Sequence, residues 1–387
     1  MSLPEKGEDP LTIIRSLIER RAKDPNYLKG EILGSMTTQP SEIAIEAYKI
    51  FINTDLNDPV LFTEAAKLEY EVIKMMSNLL KASKSLGSIT YGDTESNITA
   101  IYALRELRKG SVIIAPMSAH VSVHKAAKML GLKIVEVSLD EDYRADVSEI
   151  ETQVRRYRDN VVSIVLSAGT TELGVIDPIA EVSDVAEDFG IPIHVDATYG
   201  GFIIPFLKMA GYKLPDFDFS IQNVETIALD PHKCGLAPIP SGLLLFRSEE
   251  SFSKIYFTTP HMPTGRQKGF LGIKCGGIAA ATWAILKATG IKGYIELSKR
   301  MMENAKLLAK LASESGFELI IKPILPIVCI KLPKSKRKVL QHLWSKKLYV
   351  YPSSMFNAIR VVIMPHIKKA HIYKFIEELK KAVEKIK

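Results

Sequence analysis

Between residues 111 and 247 the chain repeatedly follows a short apolar run with an amphipathic one, and this alternation restricts its fold more than any other feature. The runs SVIIAP (111–116), KIVEVSL (133–139), VVSIVLS (161–167), IPIHVDA (191–197), TIALD (226–230) and SGLLLFR (241–247) read as strands. They are apolar on both faces, which a half-solvated antiparallel sheet does not require and a covered parallel sheet does. Helical periodicity fits 95–109, 121–130 and 178–189 between them. A mostly parallel sheet with helices on its faces is therefore expected, an α/β architecture.

The flanks read differently. FTEAAKLEYEVIKMMSNLLKA (62–82) places apolar residues three and four apart, as an amphipathic helix does. After about 275 a long helical stretch (276–313) leads to FELIIKPILPIVCIKLP (317–333), read as two strands around a proline. A helix, the strands LYVYP (348–352) and AIRVVIMP (358–365), and a final helix follow. The expected division is an N-terminal helical segment (1–60), a large α/β domain (61–275) and a smaller α+β domain (276–387).

Composition narrows the function classes. Hydrophobic residues make up 47% and charged residues 25%, enough for a large core in a globular protein. The apolar run at 276–290 is too short to span a bilayer, and MSLPEKGEDP has no signal pattern, so no membrane association is expected. Cys234, Cys275 and Cys329 lie far apart without a CxxC pair, which fits a cytoplasmic enzyme. The net charge of +7 is concentrated in segments such as 331–338 and 380–387 that read as solvated surface rather than a nucleic-acid groove.

Ligands of open α/β sheets gather at the carboxyl ends of the strands. There the sequence places His120, Thr170 and Thr171, then His194, Asp196 and Tyr199, and finally Lys233 in DPHK. His194 and Asp196, two apart, point to one sheet face. A lysine normally carries its amine to solvent, but one flanked by an apolar strand and Gly235 can instead be a desolvated amine of lowered pKa, a nucleophile toward carbonyls. GSITYGDTESN (87–97) reads as a turn opening a helix, with Thr94 either an ordinary cap or a phosphate ligand. A metal site from His194, Asp196, His232 and Cys234 is the competing reading, but it leaves Lys233 unexplained and matches no familiar zinc spacing.

Together ILGSMTTQP (32–40), DTESN (93–97), SAGTTELGVIDPI (167–179), HVDATYGGF (194–202), DPHKCGLAPIPSG (230–242) and IRVVIMPH (359–366) resemble the fold-type I pyridoxal-phosphate enzymes. More narrowly they resemble the group II amino-acid decarboxylases, especially the short archaeal L-tyrosine/L-aspartate decarboxylases. The resemblance implies a seven-stranded large-domain sheet, pyridoxal 5'-phosphate as cofactor, a homodimer, and α-decarboxylation of an acidic L-amino acid or tyrosine. Lys233 would hold the cofactor, Asp196 would pair with its ring nitrogen, and His120 and Ala197 would pack on opposite ring faces. Thr94 with its neighbour Asp93, and His232, would sit at the phosphate, Thr170 near the ring, and Arg360 on the substrate carboxylate. Tyr256 and His261, in a loop-like stretch, are candidate proton donors. A carbon–carbon lyase acting on a phosphorylated amino alcohol is the alternative within the same cofactor class.

Two stretches depart from the family pattern. YGDTESN stands where Gly-Gly-Thr-Glu-Ala-Asn is usual, so the Asp93 side chain is expected to turn away from a phosphate. GIKCG (272–276) replaces Gly-Thr-Arg-Ser-Gly, a segment that in the family approaches the neighbouring subunit's phosphate, putting Lys274 in the place of an arginine.

Overall fold

The computed structural model describes residues 2–333 and 335–385; Lys334 and residues 386–387 of the basic segments lie outside the described residues. The chain opens with α1 (Pro10–Arg21), α2 (Glu42–Ile50) and α3 (Thr63–Leu79). It continues through β1 (Leu86–Thr90), α4 (Asp93–Leu107), β2 (Val112–Pro116), α5 (Val121–Leu130), β3 (Lys133–Val137) and α6 (Val147–Tyr157). Next come β4 (Val161–Ser167), α7 (Ile179–Glu187), β5 (Ile193–Asp196), α8 (Ile204–Met209), β6 (Val224–Leu229), β7 (Gly242–Phe246) and α9 (Glu249–Ser253). A hairpin of β8 (Tyr256–Thr258) and β9 (Arg266–Lys268) leads into α10 (Gly276–Glu314). The chain ends with β10 (Ile327–Lys331), α11 (Lys336–Ser345), β11 (Tyr351–Pro352), β12 (Ala358–Val362) and α12 (Lys369–Glu384).

Seven strands form the central sheet in the order β1-β7-β6-β5-β4-β2-β3. The pairs from β6 to β3 are parallel, while β7 runs antiparallel to both β6 and β1. The mostly parallel sheet expected from the apolar runs is present, and β2, β4, β5 and β7 are buried along their whole length. Part of the apolar side chains of these strands packs with α3, α6 and α7 in one large core, while Ile113, Ala115, Val165, Leu244 and Phe246 pack in two smaller clusters.

The sequence reading missed β1, because LGSIT lies in a stretch taken as a turn. Its glycine answers a packing need: a Cβ on Gly87 would lie 2.7 Å from the Leu244 carbonyl oxygen on β7. Of the two strands expected around the proline at 317–333, only β10 forms; Leu319 contributes an isolated bridge to Ile330. Pro323 and Pro326 interrupt the first, since a proline donates nothing to a ladder. The long helix is present, but Gly290 (φ 58°, ψ 178°) breaks its geometry part-way. A three-stranded antiparallel sheet, β10-β12-β11, completes the C-terminal part.

Register aligns the functional ends. Ser167 of β4 lies beside Asp196 of β5, which lies beside Ala228 of β6, so the loops after all three strands open on one edge.

Candidate active site

At that edge lies a cavity of about 280 Å³ whose walls include Asp93, His120, Asp196, Lys233 and Arg360. Residues separated by 267 positions in sequence, from Asp93 to Arg360, are thus brought into one enclosure.

Asp196 ends β5 and is 6% exposed. Its Oδ1 accepts from the Thr198 hydroxyl (2.7 Å) and amide (3.1 Å), and its Oδ2 accepts from Asn97 Nδ2 at 3.0 Å. Asn97 lies one helical turn after Asp93, so α4 turns both toward the cavity edge. Its Nδ2 also donates to Ser122 Oγ (2.7 Å), and its Oδ1 faces His194 Nε2 at 2.9 Å. Since Asn97 Oδ1 only accepts, Nε2 must carry the His194 proton, leaving Nδ1 to accept from the Thr226 hydroxyl at 2.8 Å. Burial pulls the His194 pKa to about 4, so the imidazole is neutral. His194 and Asp196 do share a face, as expected, and both are committed to Asn97. The metal reading loses its ligands accordingly, and among the described residues no cluster of three or more His, Cys, Asp or Glu side chains is arranged to hold an ion.

His120 caps α5 and is half-buried. Its Nδ1 lies 2.8 Å from Ser122 Oγ and 2.9 Å from Asp93 Oδ2. Burial lowers the His120 pKa, but the Asp93 carboxylate outweighs it and the net shift is upward. Burial likewise opposes the Asp93 charge, yet His120 and Lys233 hold that carboxyl well below the usual range. The expectation that Asp93 turns away is therefore corrected: its carboxylate is drawn inward by two cationic neighbours. Gly92 precedes it as the α4 cap at φ 112°, and a Cβ there would lie 3.3 Å from His232 Cε1.

Lys233 ends the turn after β6, with a side chain 12% exposed. Its Nζ donates to Thr198 Oγ1 at 3.1 Å and lies 3.2 Å from Asp230 Oδ2. Burial favours the neutral amine, but the carboxylates of Asp230, Asp93 and Asp196 reverse this and raise its pKa. The lowered pKa expected for a desolvated lysine is thus corrected, because three negative charges outweigh the lost water.

Arg360 sits mid-strand in β12, the central strand of the small sheet, and is 8% exposed; an edge-strand surface arginine is excluded. Nη1 donates to the Thr171 carbonyl (2.7 Å) and Nη2 to the Gly34 carbonyl (3.0 Å), fixing the guanidinium against two loops. Its Nε is shielded from solvent and has no partner among the described residues.

Other expected residues lie differently. Thr171 lines the cavity, whereas the Thr170 hydroxyl, outside the lining, accepts from the Val175 amide at 3.2 Å. Thr94, Ala197 and His232 are outside the lining, Thr94 in the first turn of α4 and His232 held to the Ser241 carbonyl at 2.6 Å. Tyr256 and His261 do not line the cavity either: Tyr256 packs edge-on to Phe252, and His261 is exposed. Lys274 does not reach outward. Its amine is 1% exposed and donates to Ser88 Oγ (2.8 Å) and the Ile89 carbonyl (3.2 Å).

A pyridoxal ring needs an amine, an opposed carboxylate and a confined space, and this cavity supplies all three in Lys233, Asp196 and a small enclosure. Residues 52–333 match the pyridoxal-dependent decarboxylase conserved domain. The chain belongs to the pyridoxal-dependent decarboxylase family. It is an amino-acid decarboxylase with pyridoxal 5'-phosphate as cofactor. It is 40% identical over 388 residues to the L-aspartate/L-glutamate decarboxylase of Pyrococcus horikoshii, covering 99% of this chain and 100% of that one. It is 42% identical over 356 residues to the probable L-tyrosine/L-aspartate decarboxylase of Methanothermobacter thermautotrophicus, covering 91% and 97%. Among solved structures, a sphingosine-1-phosphate lyase from Burkholderia pseudomallei superposes with a TM-score of 0.91 at 24% identity, covering 99% of this chain and 92% of that one. That likeness speaks for the fold alone, so the lyase alternative draws nothing from it. Among the described residues of this decarboxylase no helix is long and apolar enough to cross a membrane.

Proposed function

We propose that the enzyme removes the α-carboxylate of an acidic L-amino acid, L-aspartate first, with the roles divided as follows. Lys233 would hold the cofactor through its amine. Bound pyridoxal phosphate supplies an electron sink for the pair left when the Cα–carboxylate bond breaks. Asp196, oriented by hydrogen bonds from Thr198 and Asn97, would pair with the ring nitrogen. His120 and Ala197 are proposed to bracket the ring, and Thr94 and His232 to flank the phosphate beside the α4 N-terminus. Arg360 would bind a substrate carboxylate, and its place in the cavity wall with Lys233 and Asp196 carries the reading.

The size and lining of the cavity support aspartate. Ser35 and Thr37 line it with hydroxyls, Thr37 itself bonded to Ser35 and Tyr27 at 2.7 Å, and a short carboxylate side chain suits such a wall better than a phenol. The two relatives above both carry aspartate in their names. We also propose a cytoplasmic homodimer. The three cysteines are all unpaired, and Leu11, Ile14, Leu17 and Ile18 of α1 are exposed, an apolar face that a second copy would cover. The division near residues 60 and 275 is kept as part of the same proposal.

The test is CO₂ release by purified protein supplied with pyridoxal phosphate, with L-aspartate, L-glutamate and L-tyrosine in parallel. Aspartate should give the highest kcat/KM, and product analysis should show the amine. Aldehyde release without CO₂ would sink the reading.

A further inference from the structure

Lys233 adds to a carbonyl only as a neutral amine, yet its surroundings favour the ammonium form. Some neighbouring group must therefore hold that charge in place. The titratable groups around the amine are Asp230 in its own turn, Asp93 and His120 from the starts of α4 and α5, and Asp196 from the end of β5; His232 and Cys234 flank it in sequence. Burial pushes the Cys234 thiol up to about 12, so it carries no charge.

The three carboxylates are not equivalent. Asp196 is engaged by Asn97 and Thr198, and Asp93 by His120. Asp230 is wholly buried, and its Oδ2 lies 3.2 Å from Lys233 Nζ at an angle outside hydrogen-bond geometry, so neither of its oxygens has a hydrogen-bond partner among the described residues. His232 Nε2 is more distant, at 3.7 Å. The backbone fixes the pair, because the Lys233 amide donates to the Asp230 carbonyl at 3.0 Å and closes the turn that carries both side chains.

We propose that Asp230 is the counter-ion that holds the Lys233 amine as ammonium in the absence of a bound carbonyl, a positioning residue acting through Oδ2 at 3.2 Å from Nζ. It rests on the reading of Lys233 as the cofactor lysine. Burial pushes the Asp230 carboxyl up to about 6 against the pull of Lys233 and His232.

The test uses apoprotein and limited reductive methylation with formaldehyde and cyanoborohydride from pH 7 to 11, with mass spectrometry of the peptide bearing Lys233. In Asp230→Asn the midpoint of Lys233 labelling should fall by a pH unit or more, raising labelling at pH 8 about tenfold. Asp93→Asn, which removes a charge held by His120, should shift it less. Coincident wild-type and Asp230→Asn profiles would overturn the proposal. Should the variant fail to fold, the wild-type profile decides alone: its midpoint must lie above the ordinary lysine value of about 10.4, and a midpoint at or below it overturns the pairing. Failure of the cofactor reading shows separately, as wild type that forms no borohydride-stable pyridoxal-phosphate adduct at Lys233 while the profile shift persists.

Discussion

Two lysines of this chain are withdrawn from solvent, and they end in opposite electrostatic states. Lys233 is surrounded by Asp230, Asp93 and Asp196, which together raise its pKa against burial. Lys274 is buried more completely, and burial pulls its amine down to about 8. Its main carboxylate, Glu69, is shared with Lys268, whose Nζ lies 2.8 Å from Glu69 Oε2. Burial alone therefore does not set a lysine's charge; the balance between lost water and the pull of nearby carboxylates decides the sign. The difference also separates a group at a cavity wall, able to meet a ligand, from one that fastens β1 to the loop before α10 through Ser88 and Ile89.

Four substitutions sharpen that contrast. Lys233→Ala should lower CO₂ release on the order of a thousandfold or more, since it removes the proposed nucleophile itself. Arg360→Met should cost roughly 10- to 150-fold in kcat/KM, the equivalent of about 1.5–3 kcal/mol for a charged hydrogen bond, with the loss weighted toward KM. Asn97→Leu leaves His194, Ser122 and Asp196 short of a partner; urea unfolding should register a loss of about 1–3 kcal/mol, and the variant should retain the cofactor less well. Lys274→Met should leave CO₂ release within about threefold, as a change outside the cavity should.

Lys274→Met should instead alter the pH dependence of stability. With a folded pKa of about 8 against an unfolded value near 10.4, the unfolded chain holds a proton that the folded one has lost. Wild-type stability should therefore gain from this group as pH rises through that window, by about 3 kcal/mol at most, and the gain should vanish in the variant. Lys233 acts in the opposite sense: its raised pKa contributes stability below the ordinary lysine value that is lost as pH rises through its folded pKa. A wild-type profile showing no component that Lys274→Met removes would break the contrast.

Much of this arrangement was legible in the sequence because it rests on local pattern. The doubly apolar runs dictate β2, β4, β5 and β7, and the spacing of His194 and Asp196 places both on one face. DPHK at a strand end gave the lysine, and the motif order gave the family. What stayed hidden depends on distant chain segments. β1 is recognisable as a strand only once β7 presses against Gly87. The inward turn of Asp93 needs His120 and Lys233 on two other elements, and the choice of Thr171 over Thr170 depends on a hydrogen bond to Val175. Asn97 could have been found from its spacing to Asp93 on one helix. Asp230, three residues before the lysine, carried its signal in its position within the turn.

The most direct test of the account is to load purified wild-type protein with pyridoxal phosphate, reduce it with borohydride, and locate the adduct by peptide mass spectrometry. The account predicts a single modified lysine, Lys233, with Lys274 unlabelled. An adduct on Lys274 or another lysine, with Lys233 untouched, would contradict it.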